Sequence, residues 1–306
     1  FNKRKINMAT TLNITTNYVG EFAGELFVEA FKKMSAIDNG AVTIYEDVNA
    51  PLYLRKLAQE DTEQAYSCGF NPLGSITLSE VKLETEKKKV DWELCKEELR
   101  VKYGSKFTGI SAHNKTLASE FVDKLVAEKI KDQAKRLQTK IWQATDAVDG
   151  WDGFLARFNA DATIKKINAA ATIDKATVVA EIEKVISAIP VEVENGVLSV
   201  SRDIAQAYNF SLIGQGIAMG LGGNANTDLI FGNYRLVVDL GLPARTMVFA
   251  DPANLAFGTS LVSDHNEVSV VDEDEIGLLT GKVRGKMAYS YGTQYIFGAE
   301  IVCYKP

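Results

Sequence analysis

One stretch limits what this chain can become. From about Thr116 to Thr145 the apolar residues Leu117, Phe121, Val122, Leu125, Val126, Ile130, Ala134, Leu137, Ile141 and Trp142 recur mostly every three or four positions. That spacing places them on one face of a helix. The residues between are mostly Lys, Glu, Asp, Gln and Ser, and neither Gly nor Pro interrupts the run. Asn114 or Thr116 can cap the start by accepting a free backbone N–H of the first turn. At a rise of ~1.5 Å per residue the helix is roughly 40 Å long, well beyond an ordinary globular one. A rod with a single apolar stripe needs something equally long to lie along it.

A candidate partner lies at the far end of the sequence. Residues 283, 285, 287, 289, 291, 293, 295 and 297 are Val, Gly, Met, Tyr, Tyr, Thr, Tyr and Phe, with Arg284, Lys286, Ala288, Ser290 and Gln294 among those between. Period two held over that length predicts a strand with one buried face. Its large aromatic residues suit packing on a long helix.

The 306 residues, 46% hydrophobic and 24% charged, are enough for a real core and for two domains or one domain with large insertions. A net charge of -6 and a pI of about 5.2 exclude a protein devoted to tight nucleic-acid binding, but not one that encloses nucleic acid. Lys3, Arg4 and Lys5 read as a solvated tail. Cys68, Cys95 and Cys303 are odd in number and form no C-x-x-C pair, which argues against a disulfide framework or zinc knuckle and for a reducing compartment. No apolar run reaches the ~18 residues of a membrane span, and no signal-peptide pattern is visible. The first residue is Phe1, which leaves three readings open: an upstream segment removed, numbering that starts inside a longer product, or a start at Met8.

In chain order, residues 1–18 are polar and read as an extended arm. Val19 to Met34 predicts a short helix with Phe22, Leu26, Phe27, Ala30 and Phe31 on one face, a patch for a neighbouring subunit to cover. Ala41–Tyr45 and Leu52–Leu54 read as strand pieces of a projecting hairpin, turning in the Gly/Pro/Asn-rich run Cys68–Gly74. In the return strand Ile76 and Leu78 share one phase, and Val81, Leu83 and Thr85 the other. That jump predicts a bulge at Ser79–Glu80. Lys87, Lys88 and Lys89 end the strand in solvent, and a helix is expected from about Asp91 to Tyr103 on Trp92, Leu94, Cys95 and Leu99.

After the long helix the chain breaks at Asp149–Gly153. Phe154 and Leu155 open a short helix, Ala162–Ile167 holds a strand, and Asp174–Ala188 forms a helix stopped by Pro190. Val197–Val200 is a strand, and Ser201 caps a helix reaching about Ile213. This alternation predicts an α/β module. Strands at Tyr234–Val238, Thr246–Ala250 and Val268–Val271 follow.

Chemistry is hard to place. His113 and His265 have no zinc-ligand spacing. Ser263, Asp264 and His265 are sequence neighbours and cannot face one another as a relay requires. The run Gly214–Gly223 resembles a dinucleotide fingerprint with one extra residue, yet a helix precedes it and a loop follows, so it reads as a surface loop. Gly277–Lys282 lacks P-loop spacing and reads as a turn before the last long strand. Asp272–Glu275 lacks EF-hand spacing and reads as a solvated acidic turn. No catalytic, cofactor-binding or metal residue is assigned, and the chain reads as no enzyme.

Several residue groups recur in a telling order. Leu242-Pro243, Asn254-Leu255, Gly258-Thr259 and Ser263-Asp264 are followed by Lys286-Met287, Tyr289, Gly292, Gln294-Tyr295, Gly298, Glu300-Ile301-Val302 and Tyr304. Earlier, Trp142-Gln143 is followed by Asp152-Gly153-Phe154. In this order they resemble the major capsid proteins of tailed bacteriophages, of the Hong Kong 97-like fold. The resemblance implies an α+β chain with an N-terminal arm (1–39), an extended β-hairpin loop (40–90), a peripheral domain with a long spine helix (91–145 and 270–300) and an axial α/β domain (146–269 and 301–306). It implies pentamers and hexamers that close an icosahedral head around double-stranded DNA, bound without sequence specificity. Portal, scaffold and decoration proteins are the implied partners. The virion is the implied location, after assembly in a bacterial host cytoplasm, with no membrane involved. Some relatives lose an N-terminal segment to a protease, and some link subunits by a Lys–Asn isopeptide; the latter positions have no match here. Two other readings stand beside it: an encapsulin-like compartment shell around a protein cargo, and a nucleotide-binding α/β enzyme using the Gly-rich run.

Overall fold

The stripe of the long helix is buried where its side chains are described: Ile130, Ala134, Leu137, Ile141 and Trp142 all lie in the interior. The computed structural model describes residues 34–59, 63, 65, 68, 74–95, 119–215, 229–259 and 268–306, less 47, 49, 192, 194, 275, 276 and 279, with backbone alone at 58, 59, 119–126, 268, 269 and 272. The predicted arm at 1–18, the expected helix from Val19 up to residue 33, most of the hairpin tip and both histidines lie outside these residues. The elements in order are α1 (Ser35–Asp38), β1 (Thr43–Tyr45), β2 (Leu52–Gln59), β3 (Ile76–Leu83), β4 (Glu86–Cys95), α2 (Ser119–Gln143), α3 (Asp146–Asp149), α4 (Phe154–Ala160) and β5 (Lys165–Asn168). They continue with α5 (Val178–Ile186), β6 (Val197–Val200), α6 (Arg202–Gly214), β7 (Leu229–Phe231), β8 (Tyr234–Val238), β9 (Met247–Ala250), β10 (Leu255–Thr259), β11 (Val268–Asp272), β12 (Lys282–Tyr295) and β13 (Val302–Lys305). The result is a mixed α/β chain in two units. The described part of the first falls within Lys88–Lys131 and Asp264–Tyr289, and that of the second within Ala30–Lys87, Asp132–Ser263 and Ser290–Pro306.

In the first unit β11 runs antiparallel to β12, from Val268 opposite Met287 to Asp272 opposite Val283, and β4 also pairs with β12. Here the predicted alternation of the long strand holds: Val283, Gly285 and Met287 are buried, Arg284 and Lys286 exposed. Over residues 91–95 β4 corrects the sequence reading, which expected a helix from Asp91 to Tyr103; the remainder of that stretch lies outside the described residues. Val90, Trp92 and Leu94 are half-buried while Lys89, Asp91 and Glu93 are exposed, the period of a strand. Lys87–Lys89 accordingly lie within this strand rather than at the end of the previous one. Trp92 lies flat against Gly285, where any Cβ would come within 2.0 Å of the indole.

The second unit holds a six-stranded mixed sheet in the order β5-β13-β9-β6-β8-β7. Its core joins Val178, Ile182 and Val185 of α5 and Ile204 and Tyr208 of α6 to Leu198, Met247, Phe249 and Tyr304 of the sheet. The predicted module of alternating strands and helices is thus present. Ser201 stands before α6, but its Oγ accepts the Thr246 N–H at 3.3 Å and makes no cap bond to the helix. The demand of the neighbouring loop outweighs the cap.

The same unit contains the C-terminal half of α2. Its end is closed by Gly153, where a Cβ would fall 2.8 Å from the Lys140 carbonyl oxygen. Trp142 then meets Phe154, Phe154 meets Phe158, and Phe158 meets Tyr295 of β12, with ring centroids 5.3, 5.9 and 5.6 Å apart. Over this segment the two phenylalanines of α4 link Trp142 of α2 to Tyr295 of the long strand. At residues 290–293 β12 is buried on both faces, so the alternation ends there.

Candidate assembly surface

β2 and β3 form a separate two-stranded ribbon with continuous register from Leu52 opposite Leu83 to Gln59 opposite Ile76. No bulge interrupts it, which corrects the one expected at Ser79–Glu80. The phase jump is real, but its cause is different. Near the root, Leu54 and Leu83 point to one face and are buried with Val48 and Ala256. Further out, Tyr53 and Leu57 of β2 and Ile76 and Leu78 of β3 point to the other face and are 55–69% exposed. The apolar face changes sides along the ribbon without any slip of register. β1, read as part of this hairpin, instead pairs in parallel with β10.

The root is firmly built. Gly258 of β10 and Gly292 of β12 are register partners, and residues 83–85 cross over them. A Cβ on Gly292 would stand 1.9 Å from the Glu84 carbonyl oxygen, and one on Gly258 3.1 Å from the Leu83 and Thr85 side chains. Thr85 Oγ1 donates to the Val48 carbonyl at 2.8 Å, and Gln294 Nε2 to the Lys82 carbonyl at 2.9 Å. Lys56 Nζ lies 5.1 Å from the Phe297 ring centre, within cation–π range. On the outer face Arg55 approaches Glu80 at 3.9 Å and Lys82 pairs with Glu84, both exposed pairs worth little.

The first unit presents a second surface. Glu93 accepts from Lys282 Nζ at 2.6 Å and Arg284 Nε at 2.8 Å, and these two cations hold its carboxyl below the usual range. Arg284 Nη1 also reaches Glu273 Oε1 at 2.7 Å, while Thr280 Oγ1 donates to the other oxygen of Glu273. Glu273 is buried, which corrects its reading as part of a solvated acidic turn: an arginine on the partner strand draws it in. Asp274 Oδ1 accepts the Gly281 N–H at 2.9 Å, closing the turn, and Gly277 and Gly281 take the left-handed φ values of 84° and 66° it needs. Gly277–Lys282 is thus a turn before the long strand, as expected. A recess of about 600 Å³ opens between Trp92, Val271, Leu278 and Gly285.

Of the chemistry-bearing motifs, the Gly-rich run is described only at Gly214 and Gln215, at the end of α6; the rest of it lies outside the described residues, as do residues 263–265. Among the described residues no group of three His, Cys, Asp or Glu side chains is placed to hold a metal, and no helix is long and apolar enough to cross a membrane. The sequence reading had picked out Gly258 and Gly292 without a reason for them. Their role is invisible along the chain because it arises from a register that joins positions far apart.

Comparison with known proteins places the fold. No family model matches this sequence, and no curated protein does. Among solved structures, the capsid of a native GTA particle matches with a TM-score of 0.56 at 11% identity, over 99% of this chain and 94% of that one. The satellite phage P4 procapsid matches with a TM-score of 0.52 at 12% identity, over 92% and 98%. A virus-like particle from Pyrococcus furiosus matches with a TM-score of 0.51 at 10% identity, over 93% and 98%. The chain shares the fold of these particle-forming proteins.

Proposed function

We propose that this chain is the major capsid protein of a tailed bacteriophage, a subunit that forms pentamers and hexamers and closes an icosahedral head around double-stranded DNA. The observation that carries the reading is the hairpin. Its root is locked into the subunit, yet Tyr53, Leu57, Ile76 and Leu78 are held in register on a face the described residues leave in water. A second copy laid across that face removes it from solvent. The likeness of nearly the whole chain to capsid structures supports the same reading.

In this arrangement residues 1–39 are an arm, 40–90 the extended loop, 91–145 and 270–300 a peripheral domain with α2 as its spine, and 146–269 with 301–306 an axial domain. The head encloses DNA without reading its sequence, in keeping with a net charge of -6. Portal, scaffold and decoration proteins complete the particle in the host cytoplasm. The chain carries no catalytic step. Electron microscopy of the purified protein tests this directly. Closed spherical particles are expected; a compact single copy at high concentration would overturn it.

A second reading, a shell around a protein cargo, is supported by the likeness to the virus-like particle from Pyrococcus furiosus. Nuclease-protected DNA inside particles from the native source favours the phage head; a co-purifying protein cargo without DNA favours the compartment.

A further inference from the structure

The described fold begins at Met34, and the next residue is held unusually well. Ser35 Oγ donates to Asp239 Oδ1 at 2.7 Å and accepts from Gln138 Nε2 at 2.6 Å and from the Leu240 N–H at 3.0 Å. The other oxygen of Asp239 accepts from Trp142 Nε1 at 2.6 Å, and Oδ1 also takes the Gly241 N–H at 2.8 Å. Four residues further on, Asn39 Nδ2 donates to the Val238 carbonyl at 3.2 Å. Gly241 closes the arrangement from behind, since a Cβ there would lie 2.1 Å from the Gln138 carbonyl oxygen.

Asp239 is fully buried, and every donor it receives is neutral. Burying a carboxylate without a cation is costly, so a pure core site would be served better by an apolar side chain. What the carboxylate adds is geometry. It accepts three donors from three separate segments: the turn at Ser35, the last turn of α2, and the turn after β8. A methyl group in its place would fill the space and fix none of them.

We infer that Asp239 is the positioning residue for the root of the N-terminal segment, clamping Ser35 against the end of α2 and the 239–241 turn so that residues 1–33 join the subunit at one fixed point. The consequence for assembly rests on the capsid reading above, because an arm that reaches a neighbour must leave from a defined place.

Hydrogen exchange on the unassembled subunit tests the clamp. The amides of Ile37, Asp38, Asn39, Gly40 and Ala41 are bonded within the 34–41 turn and report its opening. Ser35→Ala should raise exchange across residues 36–41 at least tenfold while β6, β8 and β9 exchange as before, and Ser35→Thr should restore protection. Unchanged exchange at 36–41, or an equal rise in the sheet, would overturn the clamp. If Ser35→Ala does not fold, Asn39→Ala reads the same peptide with a smaller rise.

Particle yield then separates the two readings. Where the wild type closes particles, Ser35→Ala should give several-fold fewer. Wild-type yield from a subunit whose 36–41 turn exchanges fast overturns the positioning role and leaves the capsid reading intact. No particles from the wild type itself overturns the capsid reading, while the exchange result still decides the clamp.

Discussion

Leu198, Phe249 and Tyr304 sit on strands of the six-stranded sheet and are wholly buried, whereas Leu57, Ile76 and Leu78 sit on β2 and β3 and are 58%, 64% and 69% exposed. Both sets belong to well-paired strands of one unit. The difference lies in what stands above each strand. The sheet carries α5 and α6 as a covering layer, while the ribbon has only two strands, too few to bury a face of its own. Among the described residues only its root finds a core, through Leu54 and Leu83. Hydrophobicity is therefore used twice in this chain: in the sheet it stabilises the subunit, and in the ribbon it is left over for another surface.

Truncating the sheet side should have the largest effect on stability. Phe249 is fully buried, meets Tyr234 edge-on at 5.1 Å and lies against Gly196. Phe249→Ala should cost about 3–5 kcal/mol in urea denaturation; a loss below 1 kcal/mol would mean the sheet is not the stabilising core. The glycine pair under the hairpin root comes next. Gly292→Ala drives a Cβ into a main-chain carbonyl, which only a backbone shift relieves, at about 1–3 kcal/mol. Gly258→Ala meets only side-chain ends and should cost less. Equal costs would show that the crossing at residues 83–85 is loose.

This comparison was partly legible in the sequence. The stripe of α2, the alternation of β12 and the strand–helix module all rest on local periods, which a single segment carries by itself. The errors are of another kind. Val90-Asp91-Trp92-Glu93-Leu94 alternates, but Trp92, Cys95 and Leu99 also fit a helical face, and only pairing with β12 selects the strand. Glu273 reads as solvated until the register brings Arg284 opposite Val271, beside it. The phase jump in β3 reads as a bulge until the ribbon is seen to offer different faces at its root and farther out. In each case the deciding residue lies on another strand, beyond any local window.

Two buried carboxylates of the same unit should tilt stability with pH in opposite directions. Asp239 is raised by burial, which outweighs its three donors. Its contribution is thus in place below its unfolded value, ~3.9, and is lost as pH rises through the folded value. Asp239→Asn should abolish that decline, costing about 1–3 kcal/mol at low pH because an amide cannot accept all three donors, and less as pH rises. For Glu181, burial also pushes upward, but hydrogen bonds from Lys184 and Tyr304 prevail and its value is lowered. Its contribution is in place above ~4.3 and is lost as pH falls through the folded value. Tyr304 itself is pushed up to about 12, chiefly by burial, so its hydroxyl stays a donor throughout. Glu181→Gln should flatten the acid limb of the melting curve by less than ~1 kcal/mol, since Lys184 is largely exposed. Parallel pH profiles for the two variants would show that one carboxylate has been assigned the wrong direction.

The smallest change in stability is expected where the reading is most exposed to refutation. Leu57 and Leu78 are direct cross-strand partners on the outer face of the ribbon. Replacing both by Ser removes apolar surface that water already touches, so the unfolding free energy should move by less than ~0.5 kcal/mol per site. If that face is covered by a second copy, the same double variant should lose most of its ability to form particles, measured by sedimentation at matched concentration. The two measurements must separate. A variant that melts early would mean the leucines are buried within the subunit by residues at the hairpin tip. A variant that is stable and still assembles would mean the outer face is idle and that some other surface joins the copies.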